Sequence, residues 1–340
     1  MGSERRMRTD TILLTAGLLL IGYLLGEVIL LVFAAVVFAV GLDGISQSLS
    51  GRLNIKRGWA LLAVVTGITA IIIGAIALTA ARLVQQFQEI SQTVLDVYEQ
   101  VQEWLADRGV LEYIDGLEIN GGENGEALGE MAGQVMTYGM SAIGAVSSLM
   151  ILIVLTLFLA GNPELYRRGA IRIVTPEKRE MVADTLSSLA HALRWWFLGQ
   201  LVSMALLGVT VGLGLFLMGI ELWFALAVLT ALLTFIPFLG PLIATVPIVA
   251  VGFTEGMETG LIVLAGYIVI QTVEGNIIVP MIHQKAVDLP PALLISVQVL
   301  LSLIFGVVGL ILAAPLTIVA MVSVQKLWIE YTLGETVRQD

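Results

Sequence analysis

Long apolar stretches separated by short polar ones organise this chain. Trp59 to Ala81 and Leu201 to Ile220 are the clearest of them. Apolar runs of about 18 residues or more read as membrane-crossing helices. The hydrocarbon layer offers the backbone no hydrogen-bond partners, so runs this long become helices and not barrel strands. The pattern predicts an all-α, polytopic transmembrane protein.

Thr11 to Leu42 is long for one crossing, and the expected solution is a compact hairpin turning near Gly26-Glu27. Arg5, Arg6 and Arg8 ahead of it resemble the start of a signal peptide. The apolar pattern continues to Leu42 without an obvious small-residue cleavage site, so a retained hairpin is expected. Basic residues cluster at 5–8, at Arg52, Lys56 and Arg57, and at Arg167, Arg168, Arg172, Lys178, Arg179 and Arg194. Short basic loops mark the cytoplasmic side. Trp59–Ala81 therefore leads out and Thr137–Ala160 leads back, with both termini cytoplasmic in an inner membrane. After Asn162-Pro163, the residues Thr175-Pro176-Glu177-Lys178 start a new helix. Its apolar positions Met181, Val182, Leu186 and Leu189 favour a helix along the membrane surface, leading to Trp195 and Trp196 as interfacial anchors.

The C-terminal half has a different pattern. A crossing helix at about 195–218 is followed by Leu222–Phe253, broken at Ile236-Pro237-Phe238-Leu239-Gly240-Pro241. Each arm is about 15 residues, or roughly 22 Å, short of the ~30 Å hydrocarbon core. A second crossing helix, Gly260–Pro280, precedes Pro290–Gln325, interrupted at Phe305-Gly306-Val307-Val308-Gly309 and followed by Pro315. Helix plus broken hairpin, repeated with opposite orientation, matches a transporter plan with re-entrant hairpins in inverted repeat. Four ordinary kinked helices are the alternative. The expected organisation is N-terminal membrane helices over 1–82, an external segment over 83–136, a returning helix and cytoplasmic amphipathic helix over 137–194, a transport core over 195–328, and a tail over 329–340.

Charge changes this picture in one place. The formal net charge is −10, and the eleven acids and single base between Leu83 and Met136 account for all of it. That segment is thus a distinct acidic domain outside the membrane. Phe87, Ile90, Val94, Val97, Val101 and Trp104 form a heptad-like stripe there, for packing within the domain or between subunits. The near-absence of a basic patch in that segment argues against nucleic acid or anionic lipid as its partner. There is no cysteine, which excludes disulfides and thiolate chemistry. No nucleophile elbow, zinc motif, P-loop or dinucleotide fingerprint appears, so neither an enzyme, a metal centre nor a cofactor is expected.

Ionisable residues inside apolar helices are functional candidates. Glu274 is the sharpest, in Gln271-Thr272-Val273-Glu274-Gly275-Asn276 ahead of Pro280. Gln271 and Glu274 share a helix face, and a carboxylate there suits a proton or cation carrier. A structural carboxylate bonded to freed backbone groups is the alternative. Gln200 occupies a comparable place in the partner helix. Glu27 is expected at the surface, as are His191, His283 and Lys285.

The break from Ile236 to Pro241, then Glu274-Gly275-Asn276 with Pro280, and Gly306 to Gly309 with Pro315, together resemble the autoinducer-2 exporter family. The likeness runs from about residue 11 to 327. The resemblance implies export of a small polar solute of the autoinducer-2 type, or sodium(lithium)/proton antiport as in some members. It also implies a homo-oligomer, possibly a pentamer. Taken together, the expected machine is an ion- or proton-coupled secondary exporter working by alternating access, with a site at the two broken hairpins built from Glu274, Gln271, Asn276 and Gln200. A channel or a non-transporting scaffold are the competing classes.

Overall fold

A computed structural model describes residues 25–67, 69, 70, 74, 142–278 and 289–334, and these are helical with no strand among them. In order they form α1 (Gly26–Leu53), α2 (57–67), α3 (Ala142–Gly161), α4 (Pro163–Ile173), α5 (Arg179–Leu217), α6 (Trp223–Leu233), α7 (Leu239–Thr254), α8 (Met257–Val273) and α9 (Pro291–Ser323). A 3-10 turn, Pro176–Lys178, leads into α5, and π-helical turns extend α8 over Glu274–Ile278 and α9 over Val324–Glu330. By length and apolar composition alone, α1, α5, α8 with its π-helical turn and α9 taken without its break qualify as spans, and the bent pair α3–α4 would be a fifth. This is a multi-pass membrane protein. The acidic segment with its apolar stripe, and Pro280, His283 and Lys285, lie outside the described residues.

The described residues fall into two compact units. One holds α1, the start of α2 through Leu61, α3 from Ser148, α4, α5 through Phe197, and α9. Here α1 begins at Gly26 directly after a turn at Leu25, with Glu27 exposed. It does not stop at the end of the apolar run at Leu42 but continues to Leu53, closed by Asn54 in the left-handed region. Leu30 and Ala34 pack on Leu312 with Phe33, Leu152 and Phe305 around them, joining α1, α3 and α9. Near the other end of this packing Asp43 is buried and receives Arg57 at 2.6 Å, Arg194 at 3.1 Å and Gln47 at 2.8 Å. Arg57 also donates to the Ala160 carbonyl at 3.0 Å, so one carboxylate ties α1, α2, α3 and α5 together. Two residues from the expected basic loops are thereby drawn into the packing.

Two expectations about the region before the second half are corrected. The surface helix expected over 181–194 and the crossing helix expected from 195 are one continuous helix, α5. At 39 residues it is about 58 Å long, nearly twice the hydrocarbon thickness. Met181, Val182, Leu186 and Leu189 are half-buried within the protein. Trp196 is 1% exposed and belongs to the core, not to an interfacial belt, while Trp195 stacks edge-on with His191 at 6.3 Å.

The other unit contains α5 from Leu198, with α6, α7 and α8. Gly208 and Gly212 let α5 approach α6 closely, because a Cβ at either would fall 2.9 and 2.7 Å from the Ala231 and Ala227 side chains. Leu215, Ile220, Leu226, Ile248, Val263 and Tyr267 form its core. Between α6 and α7 the chain breaks where Pro237 and Pro241 withhold backbone donors. Phe238 takes a positive φ of 63°, a strained geometry for a side chain of this size. The arms α6 and α7, at 11 and 16 residues, are about 17 and 24 Å, each too short to span.

The second break, inside α9, uses the same device. Gly306 leaves helical geometry at φ 60°, ψ −143°. A Cβ on Gly309 would lie 2.1 Å from the Leu301 carbonyl oxygen, eight residues back, as a Cβ on Gly240 would lie 1.8 Å from that of Leu233. In a straight helix positions seven and eight residues apart are separated by about 10–12 Å, so the chain folds back on itself at each break. Glycine is required where the returning backbone meets the outgoing one.

Gly240→Ala and Gly309→Ala are each expected to cost at least about 3 kcal/mol, since the obstructing atom is backbone and cannot swing aside. Gly266→Ala on α8, where a Cβ meets nothing within 4 Å, should be neutral or raise stability by up to about 1 kcal/mol. Melting temperatures in detergent check the contrast. Asp43→Asn is expected to cost about 1–3 kcal/mol, below the loss for a fully buried pair because both arginines are partly exposed. Chemical denaturation of the same preparations measures it.

Candidate functional site

The polar residues of the second unit are placed by the helices beside the first break. Where α6 ends, the Thr234 carbonyl has no further helical donor, and the Gln200 side-chain amide of α5 donates to it. Thr234 returns its own hydroxyl to the Thr230 carbonyl at 2.6 Å. On the far side of the break, Pro241 presents its carbonyl to the Tyr267 hydroxyl of α8 at 2.8 Å and to the Thr245 hydroxyl at 3.0 Å. Unpaired backbone groups are costly in a lipid interior, and α5 supplies the donor that the Thr234 carbonyl needs, while Tyr267 ties α8 to a carbonyl already held within α7.

The same two helices carry the candidate carboxylate and its neighbour. Gly260, Val263 and Tyr267 are buried on α8, followed by half-buried Gln271 and by Glu274 at 9% exposure. Their steps of three and four residues make one inward stripe. Leu261, Ile262, Ile268 and Val269 lie off this stripe and are each about half exposed or more, as suits a lipid-facing side. Glu274 thus points inward because it continues the packing register of α8. It opens the π-helical turn Glu274–Ile278, a local widening often found at functional positions.

Ser203, three residues after Gln200 on α5 and 3% exposed, faces the Glu274 carboxylate. Its hydroxyl closes no hydrogen bond of ordinary geometry, and neither does the buried Gln271 side-chain nitrogen, which flanks the Tyr267 hydroxyl. Among the described residues no cation pairs with Glu274. The arrangement is a single buried carboxylate faced by the Ser203 hydroxyl, with Gln271 one turn back beside Tyr267. Chemically it can hold and release a proton, or engage a solute bearing hydroxyl groups. No group of three or more histidine, aspartate or glutamate side chains arranged to hold a metal occurs among the described residues.

The expected site residues divide accordingly. Glu274 and Gln271 lie together on the inward stripe. Gln200 is buried one turn from Ser203, but its amide is committed to the Thr234 carbonyl. Asn276 is exposed and donates to the Thr272 carbonyl of its own helix at 2.9 Å, turned away from the stripe. Pro237, Gly240 and Pro241 build the first break. Gly306 and Gly309 build the second, and buried Pro315 lies further along the returning arm of α9. Ser203, Tyr267 and Thr234 were not singled out in the sequence. Extending the Gln271/Glu274 stripe back two helical turns reaches Tyr267, and the three-residue step from Gln200 reaches Ser203, so the signal was periodicity.

Comparison with known proteins gives this geometry a context. A family model described as AI-2E family transporter matches residues 12–328. The chain is 30% identical over 190 residues to the AI-2 transport protein TqsA of Escherichia coli (strain K12), covering 54% of this chain and 53% of that one. It is 30% identical over 178 residues to YhhT of the same organism, covering 52% and 45%. Over 187 residues it is 24% identical to YueF of Bacillus subtilis (strain 168), covering 54% and 51%. The matched region thus spans about half the length of these curated relatives. With the family model running through nearly all of the sequence, the chain belongs to the AI-2E transporter family.

Proposed function

We propose that this protein is a secondary transporter in the cytoplasmic membrane that couples proton movement at Glu274 to export of a small polar organic solute. The observation that carries this reading is the placement of Glu274: a buried carboxylate on the one inward stripe of a membrane helix, faced by the Ser203 hydroxyl of α5. An ionisable group in a membrane span is costly and is retained where it serves a pathway. Family membership supports transport as the activity, and the name of the relative TqsA supports an autoinducer-2-like signal as the solute class.

The two fold-back breaks support alternating access built on discontinuous helices, in an inverted-repeat arrangement with re-entrant hairpins. A homo-oligomer, as the family resemblance implies, would supply the stationary scaffold. The termini are assigned to the cytoplasm by the distribution of basic residues. Sodium(lithium)/proton antiport is the second reading. It is favoured by the adjacency of one carboxylate and one hydroxyl, both oxygen ligands of the type hard cations take.

Purified protein in liposomes with an internal pH dye tests these readings. Solute-driven proton movement is expected in the wild type, and Glu274→Gln is expected to lower it by about tenfold or more with the fold retained. Loss of the pH dependence of flux should accompany it. Proton movement driven only by sodium or lithium would establish the antiporter instead. Wild-type flux with unchanged pH dependence in Glu274→Gln would contradict the role of the carboxylate.

A further inference from the structure

The short helix α4 has a property that neither the packing nor the transport reading uses. It follows α3 after Asn162-Pro163, and the two helices are bent by 82°. None of its residues is buried. Yet Leu165 and Tyr166 are 61% and 44% exposed, and Ile173 is 86% exposed. Leu165, Gly169 and Ile173 repeat at four-residue steps, with Tyr166 and Ala170 beside them, so one side of α4 is apolar and bare.

The helix is also basic. Arg167, Arg168 and Arg172 face a single acid, Glu164, which lies 3.3 Å from Arg167 and 3.6 Å from Arg168. Arg167 also donates to Ser187 of α5 at 3.2 Å. That contact turns the Arg167 edge of α4 toward α5, while Arg172, seven residues from Leu165, borders the apolar side with the exposed Arg168 next to it. The preceding helix α3 exposes Met150, Val154 and Phe158 by about half or more, a surface suited to lipid chains. A helix set nearly at right angles to such a span lies close to the plane of the bilayer.

We propose that α4 is an in-plane anchor that seats Leu165, Tyr166 and Ile173 in the cytoplasmic headgroup layer, with Arg168 and Arg172 on anionic phospholipid. Three features select this occupant over a protein partner. The bare apolar side follows directly on α3, whose exposed Met150, Val154 and Phe158 suit lipid chains. Its depth, one row of side chains, matches the ~5–10 Å that interfacial helices bury. Its excess of arginine complements the negative cytoplasmic leaflet. The anchor sits where the chain turns from α3 toward α5, so it fixes the height of that turn relative to the membrane.

The chain has no cysteine, so single labels report one position each. Full-length protein carrying Ile173→Cys or Arg168→Cys is spin-labelled and reconstituted in phosphatidylcholine vesicles with and without one-third phosphatidylglycerol. Collision with oxygen, which concentrates in lipid, is compared with collision with a water-soluble nickel chelate. The expected result is oxygen access at 173 and nickel access at 168. Adding phosphatidylglycerol should shift 173 deeper, and high salt should reverse that shift. In Arg168→Gln/Arg172→Gln with the label at 173, the phosphatidylglycerol effect should shrink at least twofold. Nickel access at both positions would overturn the proposal, because α4 would then stand in water. Protection of 173 from both reagents would also overturn it, since protein would be the cover. Lipid burial indifferent to phosphatidylglycerol would overturn the anionic-lipid part.

Discussion

A helix that stops inside hydrocarbon leaves carbonyl groups that water cannot reach, and each one must find a donor within the protein. At the break after Leu233 the Thr234 carbonyl lacks a helical donor, and neighbouring helices brace both sides of the break. Gln200 donates to Thr234 from α5, and Tyr267 donates to Pro241 from α8. Those two bonds clamp the break between two neighbouring helices at fixed rotations. A different rotation of α8 would withdraw Tyr267 and leave its hydroxyl and one lone pair of the Pro241 carbonyl without each other.

Fixing the rotation of α8 fixes Glu274. It lies seven residues beyond Tyr267, two turns along the same stripe, so the bond that braces the break also aims the carboxylate inward. Ser203 is placed by the same logic, one turn beyond Gln200 on α5. The candidate site is therefore a by-product of how the break is supported, and a displacement of α7 against α8 would be felt at both. This links the broken helix to the carboxylate through named contacts. In the other unit, Asp43 serves a different purpose, joining four helices where polar side chains can meet at the end of an apolar bundle.

Much of this was legible in the sequence because it depends on local signals. The two breaks were marked by Pro237, Gly240 and Pro241 and by Gly306 and Gly309, residues whose backbone limits act wherever they stand. Glu274 was visible as an acid in an apolar run. The continuity of α5 was not, because a three-to-four-residue apolar period looks the same whether a helix lies on lipid or packs against protein. The arginines of the shorter α4 carry no such signal of their own, because a basic cluster after Asn162-Pro163 is equally consistent with a loop. Asp43 was hidden because its partners lie 14 and 151 residues away. Asn276 was misplaced by proximity in sequence: two residues from Glu274 on a helix is the opposite side.

The account stands on Glu274 being a group that exchanges its proton and not a permanently bonded structural carboxylate. Infrared difference spectra of the reconstituted protein, recorded across a pH titration, read this directly through the carboxyl C=O stretch. The account predicts a titrating carboxyl band in the wild type that is absent in Glu274→Gln. Identical spectra for the two proteins would contradict it, leaving Glu274 as a fixed element of the packing.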